Sequence, residues 1–127
     1  MRAALIQLTS SDDPAANLPV TRGLLARAAN DGAEFVTTPE VTNCVSADRA
    51  HQQRVLTTED DDPTLAALRE DAARLGVWLH IGSLGIASGD ADGRLANRGF
   101  LIGPDGGIAA RYDKIHMFDV QVSETET

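Results

Sequence analysis

Two charged side chains in this sequence stand where chemistry is usually done. Glu40, in Thr38-Pro39-Glu40, follows the strand-like stretch Glu34-Phe35-Val36-Thr37 and sits directly beyond its end. Ligand sites of open α/β sheets lie beyond the carboxyl ends of the strands. A carboxylate there is placed for general-base work, and partial desolvation would raise its pKa toward the working pH. Lys114, in Arg111-Tyr112-Asp113-Lys114-Ile115-His116, follows the last strand-like segment. An ammonium there could stabilise an oxyanion or hold a carboxylate in its charged form. Taken singly, each reads more plainly as a solvated surface charge.

The other candidates read as structural. Cys44 is the only cysteine, so a disulfide framework within the chain and a cysteine-rich zinc site are both ruled out. Free cysteines are among the most buried residue types, and a small core thiol is the plainer reading of Cys44. His51 reads as solvated, His80 as a satisfied core or interface histidine inside a strand, and His116 as a partly buried donor near Lys114. The three are too scattered to suggest a metal site. Asn97 reads as an organiser of backbone hydrogen bonds and Asp119 as a loop-fixing acceptor. Gly82, Gly85 and Gly89 are followed by no helix, so they form no dinucleotide fingerprint, and no cofactor is expected.

The elements that must position Glu40 and Lys114 follow from periodicity and punctuation. Ala3 to Leu8 reads as a short, largely buried strand. Pro14 suits a helix's first turn, and Leu18, Thr21, Leu25 and Ala28 share one face, which predicts a helix over 14–30 despite Pro19 and Gly23. Gly32 can take the positive φ that ends it. The second strand, 34–37, stops at Pro39, which has no N–H to give to a sheet. Residues 41–58 read as irregular, with a short helix around 47–53. Asp62-Pro63-Thr64 starts a helix whose face is Leu65, Leu68, Ala72 and Leu75, and Gly76 ends it. Strands follow over 77–83, 95–102 and 108–112, the last two joined by the turn Gly103-Pro104-Asp105-Gly106-Gly107 as an antiparallel hairpin. Strand, helix, strand, helix, strand implies parallel strands with right-handed crossovers, hence an α/β class.

Composition narrows the function classes. The 127 residues are 43% hydrophobic, a globular composition sized for one domain or part of one. Only 4% are aromatic, so the core must be mainly aliphatic. A formal net charge of -8 would repel phosphate backbones and anionic lipid, which argues against nucleic-acid and membrane partners. The acids of Asp12-Asp13 and Asp60-Asp61-Asp62 read as helix N-terminal charge. No basic stretch leads into a long apolar segment, and no apolar run reaches the ~20 residues that span a bilayer. The expected compartment is a reducing cytoplasm.

The combination is far more specific than its parts. The segments Ala4-Leu5-Ile6-Gln7-Leu8, Pro39-Glu40, Ile81-Gly82-Ser83, Asn97-Arg98-Gly99-Phe100-Leu101-Ile102 and Tyr112-Asp113-Lys114-Ile115-His116-Met117-Phe118-Asp119, in this order, resemble the nitrilase superfamily of carbon–nitrogen hydrolases. The resemblance covers nearly the whole chain and is strongest toward the omega-amidase and deaminated-glutathione-amidase branch. It implies the N-terminal half of an αββα four-layer sandwich with a mixed sheet, residues 1–127 forming a carbon–nitrogen hydrolase domain incomplete at its C-terminus.

The resemblance also implies a cofactor-free Glu-Lys-Cys triad, with Glu40 as general base and Lys114 as its cation. The substrate would be a small amide or nitrile, and the whole protein a homo-oligomer. The family's nucleophilic cysteine lies some tens of residues after the lysine, on a strand-to-helix elbow. Cys44 falls instead where the family places pocket loop. The expectation is therefore a fragment of a longer protein, inactive alone. The rival expectation is a non-catalytic remnant that binds a partner through an uncovered sheet face. A nucleotide-binding α/β domain is a weaker rival, since the glycine-rich phosphate loop is missing.

Overall fold

The computed structural model describes residues 1–88 and 94–114. His116 and Asp119 lie outside them. Five strands form one sheet in sequence order: β1 (Ala3–Leu5), β2 (Phe35–Thr38), β3 (Trp78–Ala87), β4 (Leu95–Ile102) and β5 (Ile108–Asp113). The β1–β2 and β2–β3 pairings are parallel, while β3–β4 and β4–β5 are antiparallel. The mixed sheet and the hairpin are those the punctuation predicts.

The crossovers are α1 (Pro14–Asn30) and α3 (Pro63–Leu75). Each starts on an aspartate followed by proline. The Asp13 carboxylate accepts from Ala15 N–H, and the Asp62 carboxylate accepts from Leu65 N–H at 2.7 Å. These bonds satisfy helix-start donors that have no partner within the helix. Gly76, at φ 68°, closes α3 in the left-handed conformation. α1 runs on through Pro19, because its face of Asn17, Thr21 and Leu25 is buried. A shorter helix, α2 (Arg49–Val55), and a 3-10 turn (Glu59–Asp61) occupy the stretch expected to be mostly irregular.

Both crossover helices pack on one sheet face. Leu25, Leu65, Leu68 and Ala72 meet Val36, Leu79, Ile81, Phe100 and Ile102 in a single, mainly aliphatic core. Asp71 is fully buried between the helices and accepts from Arg22 through two nitrogens, at 2.9 and 2.8 Å, and from Arg74 at 3.1 Å. Burial pushes this carboxyl's pKa up, but the bonds from Arg22 and Arg74 outweigh it and leave the pKa below the usual carboxylate range.

The opposite face is open. Leu5, Thr37 and His80 align across β1, β2 and β3 on that side, and Leu5 is 83% exposed. The expectation of a largely buried first strand is thus corrected. β1 is an edge strand of three residues whose second face meets nothing in residues 1–88 and 94–114.

Candidate active site

β2 ends at Thr38, and Pro39 and Glu40 continue past its C-terminal end. β3 makes room for them. Its register against β4 breaks between Ile81 and Leu84, so Gly82 and Ser83 face a single residue, Gly99. This is a β-bulge, which frees backbone groups and re-aims the strand. A Cβ on Gly82 would lie 2.5 Å from the Thr38 carbonyl oxygen and 2.7 Å from the Pro39 carbonyl group, so only glycine lets the two backbones approach this closely.

The groups freed by the bulge hold the residues after Glu40. Val41 N–H donates to Ser83 Oγ at 2.8 Å, and Thr42 N–H donates to the Ser83 carbonyl at 2.9 Å. The Thr42 hydroxyl lies 2.6 Å from the Pro39 carbonyl oxygen. One step on, the Asn43 amide pairs with Gly85, donating to its carbonyl at 2.8 Å and accepting its N–H at 2.9 Å. Val41 has φ 44° and is the one non-glycine residue at positive φ among the described residues. A β-branched side chain there costs about 1–3 kcal/mol, which the surrounding bonds must offset.

Lys114 arrives from the other side. Its N–H donates to the Asn97 carbonyl at 2.8 Å, carrying the β4–β5 pairing one residue past Asp113. Charge fixes this strand end. Arg98 donates to both carboxylate oxygens of Asp113, with Nη2 to Oδ2 at 3.0 Å. Arg98 Nη1 also reaches Glu59 Oε1 at 3.0 Å, and Arg111 donates to the same glutamate at 3.2 and 2.7 Å. The Arg98 bonds hold Asp113 below the usual carboxylate range. Burial raises the Glu59 pKa, but Arg111 and Arg98 outweigh it, and the net shift is downward.

The two candidate residues meet. Lys114 Nζ donates to Glu40 Oε2 across 74 positions of sequence. Their side chains are 25% and 62% exposed. The desolvation expected for Glu40 is therefore not supplied by residues 1–88 and 94–114. The pair borders a cleft of about 470 Å³ on the open sheet face, walled by His80, Leu101 and Tyr112. A second depression, at the β4–β5 turn beside Trp78 and Asp105, includes no cation.

The remaining candidates fall elsewhere or change role. Cys44 is buried, and its thiol donates to the Asp12 carbonyl at 3.4 Å. Burial, then the charges of Asp12 and Asp13, raise its pKa, which keeps the thiol protonated and a poor nucleophile. His80 is not a core histidine. It is exposed on the cleft wall, its Nδ1 2.7 Å from the Thr37 hydroxyl. The Asn97 amide does not organise backbone, since both its polar atoms are buried without a partner among the described residues. His51 is partly buried, its Nε2 2.7 Å from the Asp12 carbonyl oxygen. No group of three or more His, Cys, Asp or Glu among the described residues could hold a metal ion, and no described helix is long and apolar enough to cross a membrane.

Sequence reasoning gave Gly82, Ser83, Glu59 and Arg98 no part in the site, although Gly82, Ser83 and Arg98 lie in segments that carry the resemblance. The dipeptide Gly-Ser interrupting an apolar strand was a usable bulge signal. Glu59 gave none, since it opens an acidic run that resembles ordinary helix-start charge.

The described fold and the paired Glu40 and Lys114 can be set beside known proteins. The sequence model of the family described as carbon-nitrogen hydrolase matches residues 2–127. The chain belongs to the carbon–nitrogen hydrolase family. Its relatives include a deaminated glutathione amidase of Yersinia enterocolitica, 33% identical over 95% of this chain and 42% of that protein. A chloroplastic omega-amidase of Arabidopsis thaliana is 30% identical over 93% of this chain and 32% of that protein. Among solved structures, the Caenorhabditis elegans NitFhit protein superposes with a TM-score of 0.84 at 25% identity, covering 97% of this chain and 30% of that one. An amidase from Nesterenkonia sp. gives 0.74 at 28%, covering 91% and 43%. This carbon–nitrogen hydrolase chain thus spans less than half the length of these relatives. Its mixed sheet flanked by helices matches the family's fold.

Proposed function

We propose that the full-length protein hydrolyses the carbon–nitrogen bond of a small amide, with Glu40 as general base and Lys114 as the cation that stabilises the tetrahedral oxygen. The observation that carries this reading is the contact between Glu40 and Lys114, brought from 74 positions apart to the rim of one cleft beyond the end of β2. The nucleophile is a cysteine outside residues 1–127, because Cys44 is buried and hydrogen-bonded away from solvent.

The thiol gives its proton to Glu40 as sulfur bonds to the amide carbon. The oxygen takes the negative charge and is met by Lys114. Collapse breaks the carbon–nitrogen bond, and Glu40 returns the proton to the leaving amine. Water then loses a proton to Glu40 and attacks the thioester, releasing a carboxylate and restoring the thiol. An amide is favoured over a nitrile because the similar proteins carry amidase names. The Nesterenkonia sp. AN1 amidase, in a cysteine-to-alanine mutant, has been crystallised with butyramide, and its fold superposes here with a TM-score of 0.77 at 26% identity. The amide of a small carboxylate-bearing molecule fits the amidase branch. We extend the reading to a cytoplasmic homo-oligomer.

The test is ammonia release by the full-length protein from a panel of small amides. The reading requires turnover, and K114M should lower kcat by at least about a hundredfold, the scale of losing an oxyanion partner. No turnover of any amide, or an unchanged kcat in K114M, removes the reading. The rival reading, a partner-binding module, is favoured by the open sheet face, where Leu5, Trp78 and Tyr112 are exposed. It would be left standing by that negative result.

A further inference from the structure

The hydrolase reading gives Glu40 its role but leaves open how its carboxylate is aimed. Glu40 is exposed and follows Pro39, whose carbonyl oxygen lies 2.6 Å from the Thr42 hydroxyl, and the chain leaves Glu40 through the next residue. That residue, Val41, is held at φ 44°, a conformation a β-branched side chain does not adopt unaided. Ser83 binds it. The Ser83 hydroxyl accepts the Val41 N–H at 2.8 Å, and the Ser83 carbonyl accepts the Thr42 N–H at 2.9 Å. Ser83 is itself fully buried, and it stands in the bulge that takes its backbone out of register with β4.

We propose that Ser83 is the positioning residue of the Glu40 base: its hydroxyl and carbonyl clamp Val41 and Thr42, forcing the left-handed turn that brings Glu40 against Lys114. This rests on the hydrolase reading for its consequence, though not for its geometry. The clamp acts at two successive N–H groups, so it sets the direction of the chain leaving Glu40 rather than merely its location. Without the hydroxyl, the Ser83 carbonyl still holds Thr42 N–H and the Thr42 hydroxyl still meets the Pro39 carbonyl, but the Val41 N–H loses its acceptor, and relaxation of Val41 toward negative φ swings the adjoining Glu40 away from Lys114. A general base works only within hydrogen-bond reach of its proton, and about 1 Å of misplacement can cost roughly a hundredfold in rate.

Two substitutions in the full-length protein test the clamp. S83A should lower kcat for the best amide of the panel by about ten- to a hundredfold, with KM changed less than about threefold, because aim and not affinity is lost. Glycine adopts left-handed φ without steric cost, so a clamp is needed less where Val41 is replaced. The S83A loss should therefore shrink at least about fivefold in the V41G background. A purely structural serine would give equal losses in both backgrounds, and that result overturns the proposal. S83C, which keeps the volume and weakens the acceptor, should show a smaller kcat loss of the same kind. It carries the test if S83A does not fold, and an unchanged kcat in S83C overturns the proposal.

The crystal structure of the same S83A or S83C protein reads the geometry without activity. Val41 still at positive φ with Glu40 on Lys114 refutes the clamp. Glu40 displaced in the variant, when the unsubstituted full-length protein turns over no amide, upholds the clamp and refutes the hydrolase reading.

Discussion

At Gly82 the geometry leaves no room for a side chain. A Cβ would stand 2.5 Å from a backbone oxygen of the segment that ends in Glu40, and backbone cannot swing aside as a long side chain can. We expect G82A to cost about 3 kcal/mol of stability, at the upper end of overpacking effects, measured by denaturant unfolding of the full-length protein. A cost below about 0.5 kcal/mol would mean that the two segments are not in contact. At this scale the positions of Glu40 and Lys114 beyond strand ends were legible, because Pro39 and the hairpin punctuate the strands that they follow, while their chemical roles rest on the proposed function. His80 was read as a satisfied core or interface histidine, and only the core alternative fails, whereas Asn97 was misread. A histidine in an alternating strand tells nothing about which face is covered, and Asn97's amide finds no partner among the described residues although its carbonyl binds Lys114.

Elements explain how the two catalytic candidates keep their distance from each other's strand while sharing one cleft. The helices were legible nearly to the residue, since Asp13-Pro14, Asp62-Pro63 and Gly76 are local signals read by local bonds. β3 was not. It extends to Ala87, past the point where alternation fails, because the bulge at Gly82 and Ser83 resets the register and β4 continues to pair beyond it. The cluster of Glu59, Arg98, Arg111 and Asp113 was invisible, since it joins the 3-10 turn to both strands of the hairpin over long sequence separations.

That cluster makes a pH prediction. Glu59, Asp71 and Asp113 all have folded-state pKa values below their unfolded ones. Groups of this kind contribute stability that is complete above the unfolded pKa, about 4, and lost as pH falls through the lower folded value. Asp62 acts in the opposite sense, because burial raises its pKa despite the bonds from Leu65 and Thr64. Three depressed carboxyls against one raised give a melting temperature that should be flat above about pH 5 and fall steadily toward pH 3. E59Q should cost roughly 1–2 kcal/mol at pH 7, as for hydrogen bonds to charged groups, and flatten part of that fall. A melting curve in E59Q with the unsubstituted protein's acid dependence would show that the cluster contributes nothing.

On the scale of the whole molecule, one sheet face carries the helices and the other carries the cleft. Leu5 stands 83% exposed on the cleft side, beside Thr37 and His80 of the neighbouring strands. The family's relatives are more than twice as long as the matched region, and the four-layer sandwich implied by resemblance would lay a second sheet here. If so, L5E in the full-length protein should lower stability by at least about 2 kcal/mol, as for a charge forced into an apolar contact. A change within about 0.5 kcal/mol would place Leu5 in water and leave the face uncovered. The same covering would desolvate Glu40, which is what its assigned role needs and what the described residues alone do not provide.

The role proposed for Glu40 is the base of a carbon–nitrogen hydrolase. Its most direct test is kcat for a small amide in the full-length E40Q variant, with the melting temperature measured on the same sample. Glutamine keeps the shape and removes the proton acceptor, so kcat should fall by at least about a hundredfold while the melting temperature stays within about 2 °C. A kcat within about twofold of the unsubstituted protein would rule Glu40 out as the base.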